Sequence, residues 1–179
     1  EVSNAIPKIM RANPFGPVNN MIGPGGERWA PVHGLLPLSL AEEATTAVLA
    51  IFAKHEQIIE QFNIRTGFLY NAVAGDCIAV EPLFFWPDSV DALHRSSVDA
   101  DFYRRLPKLQ ANPEARNAVA GMRQEIADTF SELGAAHLQI GRSYQFTEAL
   151  EPAPRQLLQA IKAALDPDNR INPGVLGLG

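Results

Sequence analysis

The sequence predicts an α+β fold, because helical and strand-like segments alternate along the chain of 179 residues. Apolar residues recur at intervals of three and four over 39–62 and 113–134, as they do on the packed side of a helix. Residues 64–73 and 77–86 are rich in β-branched and aromatic side chains and flank Gly75-Asp76, which suits a tight hairpin turn. These segments predict an antiparallel sheet with two helices packed against it.

Local signals support the first half of this arrangement. A strand is predicted at 29–36, where Pro31 favours a sheet edge or a bulge. The helix at 39–62 opens with a capping-box pattern, Ser39-Leu40-Ala41-Glu42. Residues 87–111 carry prolines and short polar pieces, so we expect an irregular or helical excursion there.

The second half adds two helices and one strand. Pro113 is a good first-turn residue and Gly134 a natural terminator of the helix at 113–134. The stretch AAHLQIG at 135–141 alternates like a strand, and a last helix is predicted at 154–165. The resulting order, βαββαβ, is that of a ferredoxin-like sheet with both helices on one face, plus a C-terminal helix and tail. Its other face is bare and needs a partner.

Composition excludes several classes of function. The formal net charge of −5 gives no basic surface for nucleic acid, and no apolar run reaches the length of a membrane span. The single cysteine, Cys77, cannot form an internal disulfide or, alone, a metal site. We expect a cytoplasmic protein. The chain starts without Met, which suggests that it is part of a longer protein.

The chain ends in a pattern that resembles a known family. Ala164-Leu165-Asp166-Pro167 leads to Asn172-Pro173-Gly174, and the stretches WAPVHGLLPLS and EPLFFWPD support the same match. Together with the element order over residues 28–176, they resemble the C-terminal domain of the FAD-linked oxidases. This superfamily includes vanillyl-alcohol oxidase, 4-cresol dehydrogenase, D-lactate dehydrogenase and glycolate oxidase. A simple helix stop and turn is the alternative reading of the closing motif.

The resemblance implies how the chain is organised. Residues 1–26 would be a linker from a missing N-terminal FAD-binding domain, and residues 27–179 would be the substrate or cap domain. FAD would be bound mainly by the missing domain, because GPGG at 23–26 does not follow a strand and open a helix as a phosphate-binding loop does. Asn172 and Gly174 would lie near the flavin. We expect this chain alone to be inactive.

Strand alternation selects the candidate site residues. In AAHLQIG, His137 and Gln139 share one face, which we expect to be the bare face on the flavin side, while Leu138 and Ile140 should meet the helices. His137 could accept a hydroxyl proton, or could be a polar interface residue. Gln139 would be a cofactor contact.

Three further residues complete the candidate set. Arg142 could bind a carboxylate and Tyr144 a substrate oxygen, although both also fit a solvated strand end. His33 on the first strand is a further candidate, and a structural histidine is the alternative. No metal is expected, because the hairpin around Gly75-Asp76 lacks the ligand histidines of the metal-dependent members that it resembles.

Three functions remain open. The chain could be the substrate-side domain of an enzyme that oxidises a 2-hydroxy acid, such as D-lactate or glycolate, by hydride transfer to FAD. It could instead serve the same chemistry on 4-alkylphenols. The hydroxy-acid branch often carries a Gly-Glu-His-Gly pattern, and residues 135–141 lack it, so this alternative stays open. It could also be a stand-alone ferredoxin-like binding or dimerisation module that forms homo-oligomers through the open sheet face.

Overall fold

The sheet of the computed structural model is built around one central strand, Cys77–Trp86 (β4). Arg65–Val73 (β3) pairs antiparallel with one side of it. Arg28–Pro31 (β1) and Gly34–Pro37 (β2) lie end to end along the other side, also antiparallel. The structure describes residues 16–138 and 141–178, so Gln139 and most of the predicted linker 1–26 lie outside the described residues.

The two short strands β1 and β2 replace the single strand predicted at 29–36. Both keep one register on β4, with Pro31 opposite Leu83 and Gly34 opposite Val80. Between them, the Val32 N–H donates to the carbonyl oxygen of Pro82 at 3.1 Å. Proline has no N–H to return a bond, so the ladder is interrupted there and the predicted strand is split.

Six α-helices accompany the sheet in the described part of the chain. They are Ala41–Lys54 (α1), Glu56–Gln61 (α2), Ala92–Ser97 (α3), Ala100–Arg105 (α4), Pro113–Glu132 (α5) and Pro152–Leu165 (α6). Short 3₁₀ turns occur at Asn19–Met21, Leu38–Leu40 and Val175–Gly177. None of these helices is both long and apolar enough to cross a membrane.

Helix boundaries follow local chemistry. The helix predicted at 39–62 is interrupted at His55, whose ψ of 14° is not helical, so it forms α1 and α2 instead. The Asn112 side chain accepts a hydrogen bond from the Ala115 N–H at 3.0 Å and caps α5, which begins at Pro113 as predicted. Residues 87–111 contain α3 and α4, each capped by an aspartate side chain.

The core lies between one face of the sheet and the helices α1 and α5. Alternate residues of β4, Val80, Phe84 and Trp86, are buried against these helices. Gly34 lies so close to α5 that a Cβ added there would be 2.8 Å from the ring of Phe130, and this proximity requires a glycine. The alternation places Glu81, Leu83 and Phe85, which are half-buried, on the opposite face of β4.

The predicted fourth strand, 135–141, is reduced to a single bridge in the described residues. Ala136 and Leu35 exchange two backbone hydrogen bonds, of 2.8 and 2.9 Å, and the chain then leaves the sheet. Leu138, predicted to meet the helices, is instead 62% exposed. The antiparallel α+β fold is confirmed, whereas the strand pairings, β1-β4-β2 with β3 on β4, do not by themselves give the ferredoxin-like order.

Candidate functional site

Three of the predicted site residues meet at the outer edge of the first strand. His33 follows β1, and the rings of His137 and Tyr144 cover it from the segment after α5. The His137 and Tyr144 rings are stacked, with centroids 4.2 Å apart, and the His33 and Tyr144 centroids are 4.7 Å apart. Residues more than a hundred positions apart thus form one cluster, which we call the His–Tyr cluster and define as His33, His137 and Tyr144.

Side chains at this edge replace the backbone partners that a longer fourth strand would provide. The His33 N–H donates to the Tyr144 hydroxyl oxygen at 3.1 Å, and His137 Nδ1 donates to the His33 carbonyl oxygen at 2.8 Å. Arg123 on α5 donates its Nε–H to the Pro31 carbonyl oxygen at 2.9 Å. Because buried backbone groups need partners, these contacts explain how the strand edge is stable without a ladder.

The hydrogen bonds define the tautomer of His33. The Leu138 N–H donates to His33 Nε2 at 2.7 Å, so this nitrogen carries a lone pair. In the neutral ring, Nδ1 therefore carries the hydrogen and donates to the Tyr144 hydroxyl oxygen at 2.8 Å. Tyr144 accepts two bonds from His33, and its own hydroxyl hydrogen has no acceptor among the described residues.

His137 has a similar spare position. Its Nδ1 carries the hydrogen that the His33 carbonyl oxygen accepts, so in the neutral ring its Nε2 carries a lone pair. No group in residues 16–138 or 141–178 forms a hydrogen bond with this Nε2. The cluster thus combines four filled hydrogen bonds with one unused donor and one unused acceptor among the described residues.

Burial keeps the cluster neutral near pH 7. It lowers the pKa of His33, which the neighbouring His137 lowers further. It also lowers the pKa of His137, although the hydrogen bond to the His33 backbone acts in the opposite direction. Burial raises the pKa of Tyr144, against the effect of the His33 backbone bond and of Arg123. A neutral imidazole can accept a proton from a ligand directly, whereas an imidazolium would first have to release its own.

Two ionisable residues that the sequence did not single out for the site lie beside the cluster. Arg123 influences the pKa of Tyr144, and its own pKa is lowered by burial. Glu81 falls opposite His33 in the shared register of β1 and β2, and burial raises its pKa. Groups with perturbed pKa values are enriched at functional sites, and several of them lie together at this edge.

Of Arg123 and Glu81, only Glu81 stands out in the sequence. Glu81 is a carboxylate in a strongly apolar strand, which predicts an unusual environment. Arg123 follows the buried Met122 on α5, and no pattern in the sequence distinguishes it from a solvated helix position. Arg142, the predicted carboxylate ligand, is exposed and forms no hydrogen bond or ion pair with a described residue.

The C-terminal tail packs near the cluster but not on it. The Leu176 N–H donates to the Gly141 carbonyl oxygen at 2.6 Å, and Thr147 Oγ1 donates to the Leu176 carbonyl oxygen at 2.8 Å. The tail therefore holds the segment 141–147, which contains Tyr144. Asn172 and Gly174, the predicted cofactor contacts, form an exposed turn with left-handed φ values of 46° and 75°.

Asp166 fixes the start of this tail. Its carboxylate accepts hydrogen bonds from the backbone N–H groups of Arg170 and Ile171, both at 2.8 Å, and from Lys162. The hydrogen bond from Lys162 is the largest influence that lowers the pKa of Asp166. The helix stop and turn is thus held by side-chain bonds.

The glycine-rich loop at 23–26 has little capacity for a phosphate. Its amides are already used, since Gly23 N–H donates to the Glu27 carbonyl oxygen and Gly25 N–H to the Glu27 carboxylate. Gly26 N–H donates to the Gly23 carbonyl oxygen at 2.9 Å. A phosphate cradle needs free amides, so these residues do not fit the pyrophosphate of FAD.

The cluster suits a small polar ligand. The Tyr144 hydroxyl can donate a hydrogen bond, His137 Nε2 can accept a proton, and Arg123 adds a cation. No group of three or more metal-ligating side chains occurs in the described residues. Comparison of the chain with models of protein families, with curated proteins and with solved structures found no match.

Proposed function

We propose that this chain is the substrate-side domain of a flavin-dependent oxidoreductase, and that its substrate is a 2-hydroxy acid such as D-lactate or glycolate. FAD, held mainly by a separate FAD-binding domain, would supply the hydride acceptor. The observation that carries the proposal is the convergence of His33, His137 and Tyr144 on one edge.

Each member of the cluster has a role in this proposal. His137 Nε2 accepts the proton of the substrate hydroxyl, because it carries a lone pair and burial keeps the ring neutral. The Tyr144 hydroxyl donates to a substrate oxygen. Arg123 binds the carboxylate through the Nη groups, since only its Nε is bonded to a described residue. Arg123 is better placed for this than the exposed Arg142. His33 positions Tyr144 and His137.

The bare sheet face supports a partner on this side. Leu83 and Phe85 of β4 lie there, and Leu69 of β3, opposite Glu81, is 45% exposed. These apolar side chains suit the isoalloxazine side of FAD and the domain that carries it, whereas the loop at 23–26 does not suit the pyrophosphate. The tail turn with Asn172 and Gly174 would complete the same interface.

We also propose that the sheet has the ferredoxin-like strand order. If β1 and β2 are one interrupted strand and Ala136 is the remnant of the fourth, the order along the sheet becomes that of a ferredoxin-like fold. The continuous register of β1 and β2 on β4 and the Leu35–Ala136 bridge support it.

Two alternatives keep specific support. The proximity of Tyr144 and Arg123 also suits a phenolic oxygen, which favours a 4-alkylphenol as the second candidate substrate. The bare sheet face also suits a homo-oligomer of a stand-alone binding or dimerisation module. Flavin that stays with the isolated chain after desalting would contradict the division between two domains.

The test uses the enzyme that contains this chain together with its FAD-binding domain. His137→Asn keeps a donor at the position of Nδ1 but removes Nε2, so flavin reduction by D-lactate should slow by about 100-fold. His55→Asn is the matched control, because His55 pairs with Glu125 and with no member of the His–Tyr cluster, and it should reduce flavin at the normal rate. Arg123→Ala should raise the D-lactate concentration that gives half-maximal flavin reduction, while Arg142→Ala should change this concentration little.

Outcomes of this test separate the alternatives. A normal reduction rate in His137→Asn would contradict the role of Nε2. Reduction by a 4-alkylphenol and not by D-lactate would select the phenol alternative. If the full-length protein carries no flavin, both flavin-dependent functions are excluded and the stand-alone binding or dimerisation module is the remaining candidate.

A further inference from the structure

A separate cavity lies where the chain leaves β4, and it has no residue in common with the His–Tyr cluster. Its volume is about 260 Å³. The apolar part of its wall includes Ile22, Leu106 and Leu109, and its polar part includes Asp88, Arg95 and Lys108. This volume lies slightly below the usual range of pockets for drug-sized ligands, so only a small molecule fits.

The buried carboxylate in this wall is already neutralised. Asp88 is fully buried, and Arg116 donates to both of its oxygens at 2.9 Å. The Asn112 N–H and Trp86 Nε1 donate as well, at 2.8 and 3.2 Å, and Arg28 Nε lies 3.3 Å from Oδ2. Asp88 therefore offers little negative charge to the cavity.

The two cations in the wall have no acidic partner among the described residues. Arg95 donates one Nη hydrogen to the Val90 carbonyl oxygen at 2.9 Å, and Lys108 donates to the Tyr103 carbonyl oxygen at 2.5 Å. Neither forms an ion pair with a described residue, although the chain has a formal net charge of −5. The Lys108 ammonium also lies over the ring of Tyr103, 3.3 Å from its centroid. Both groups still carry hydrogens that a carboxylate can accept.

We propose that this cavity binds a small organic carboxylate, with the carboxylate between Arg95 and Lys108 and the apolar part against Ile22, Leu106 and Leu109. Two cations without acidic partners beside an apolar wall select an anion with a hydrophobic end. A carboxylate fits this pair through charge-assisted hydrogen bonds, and the planar guanidinium of Arg95 matches it best. The site is independent of the proposed oxidoreductase function.

Isothermal titration with phenylacetate tests the site, with phenylacetamide as the neutral compound of the same shape. Phenylacetate should bind at least about tenfold more tightly, because hydrogen bonds to charged groups contribute more than neutral ones. The double variant Arg95→Ala and Lys108→Ala should remove this preference. Arg104→Ala, an exposed arginine of α4 that pairs with Asp101 outside the cavity, is the matched control and should retain it.

Three results would overturn the proposal. Equal binding of phenylacetate and phenylacetamide would exclude a role for the cations. Acetate that binds as tightly as phenylacetate would exclude the apolar wall. No heat from phenylacetate at concentrations up to about 10 mM would exclude binding in the range expected of so small a site.

Discussion

Two buried polar clusters flank β1, and they differ in how completely their hydrogen bonds are used. At its start, Arg28 meets Asp88, whose two oxygens accept four hydrogen bonds from Arg116, Asn112 and Trp86. Beyond its end, the His–Tyr cluster is neutral and keeps an unused donor on Tyr144 and an unused acceptor on His137. A complete network stabilises the fold, whereas spare capacity can bind a ligand. The difference distinguishes a structural cluster from a candidate site more clearly than burial does.

The largest loss of stability, which tests the structural role given to the first cluster, is expected on substitution of Asp88. Asp88→Asn should lower the free energy of unfolding by about 3 kcal/mol, the lower end for a broken buried pair because Arg116 is partly exposed. Urea unfolding followed by far-UV circular dichroism measures it. Asp101→Asn, which removes an exposed pair with Arg104, should leave the midpoint unchanged. A similar midpoint in both variants would mean that Asp88 is not the structural centre of its cluster.

A smaller loss is expected in the His–Tyr cluster. Tyr144→Phe removes the acceptor of two hydrogen bonds from His33, so the free energy of unfolding should fall by about 1–3 kcal/mol. Tyr70→Phe is the matched control, because within residues 16–138 and 141–178 its hydroxyl forms a hydrogen bond with Thr45 alone, at an exposed position, so its loss should be near zero. Equal urea midpoints for the two variants would show that the Tyr144 hydroxyl contributes nothing to the edge.

The smallest effect is a pH dependence that differs between the clusters. The pKa values of His33 and His137 are lowered in the folded state, so the unfolded state binds more protons as the pH falls below about 6.5. Their contribution to stability is therefore complete above that pH and is lost as the pH falls towards the folded pKa values. His137→Asn should reduce the slope of stability against pH between about 6.5 and 5.

The carboxylates titrate in a separate window. Burial alone would raise the pKa of Asp88, but the hydrogen bonds from Arg116, Asn112 and Trp86 lower it overall. Asp91, which bonds His94, has a pKa lowered to about 2. Their contribution is present above about pH 4 and is lost only in stronger acid. Urea midpoints measured from pH 8 to 3 should show both windows, and a single loss below pH 4 would contradict the lowered histidine pKa values.

Much of the fold could be predicted from the sequence because its signals are local. The hairpin strands and the helix that begins at Pro113 depend on periodicity and turn residues, and β4 has the predicted bounds Cys77–Trp86. The break at Val32 could not be predicted from its own neighbours, since its cause, Pro82, lies on the pairing strand. Alternation in 135–141 predicted a strand, but the side chains of His137 and Tyr144 took over the edge of the sheet.

The candidate site was only partly accessible to the same reasoning. His33, His137 and Tyr144 were found because their residue types suit proton transfer and because the family resemblance pointed to their strands. Arg123 was missed because its importance comes from the distance between α5 and the Pro31 carbonyl, which depends on tertiary packing. Arg142 and Tyr144 were both predicted from their position just after 135–141, and the structure leaves Arg142 exposed while it buries Tyr144 in the cluster.

The bond between His33 and Tyr144 also has a consequence for the order of folding. It joins residues 111 positions apart, whereas the β3–β4 hairpin joins neighbours in sequence. Contacts of such long range close a large loop, so we expect the edge at His33 to form late, after the hairpin and the helices. In the described residues past Ala136, this edge is held by a few side-chain bonds and not by a ladder, so it should also open first. Amide hydrogens of His33 and Leu138 should accordingly exchange with solvent sooner than those of β4.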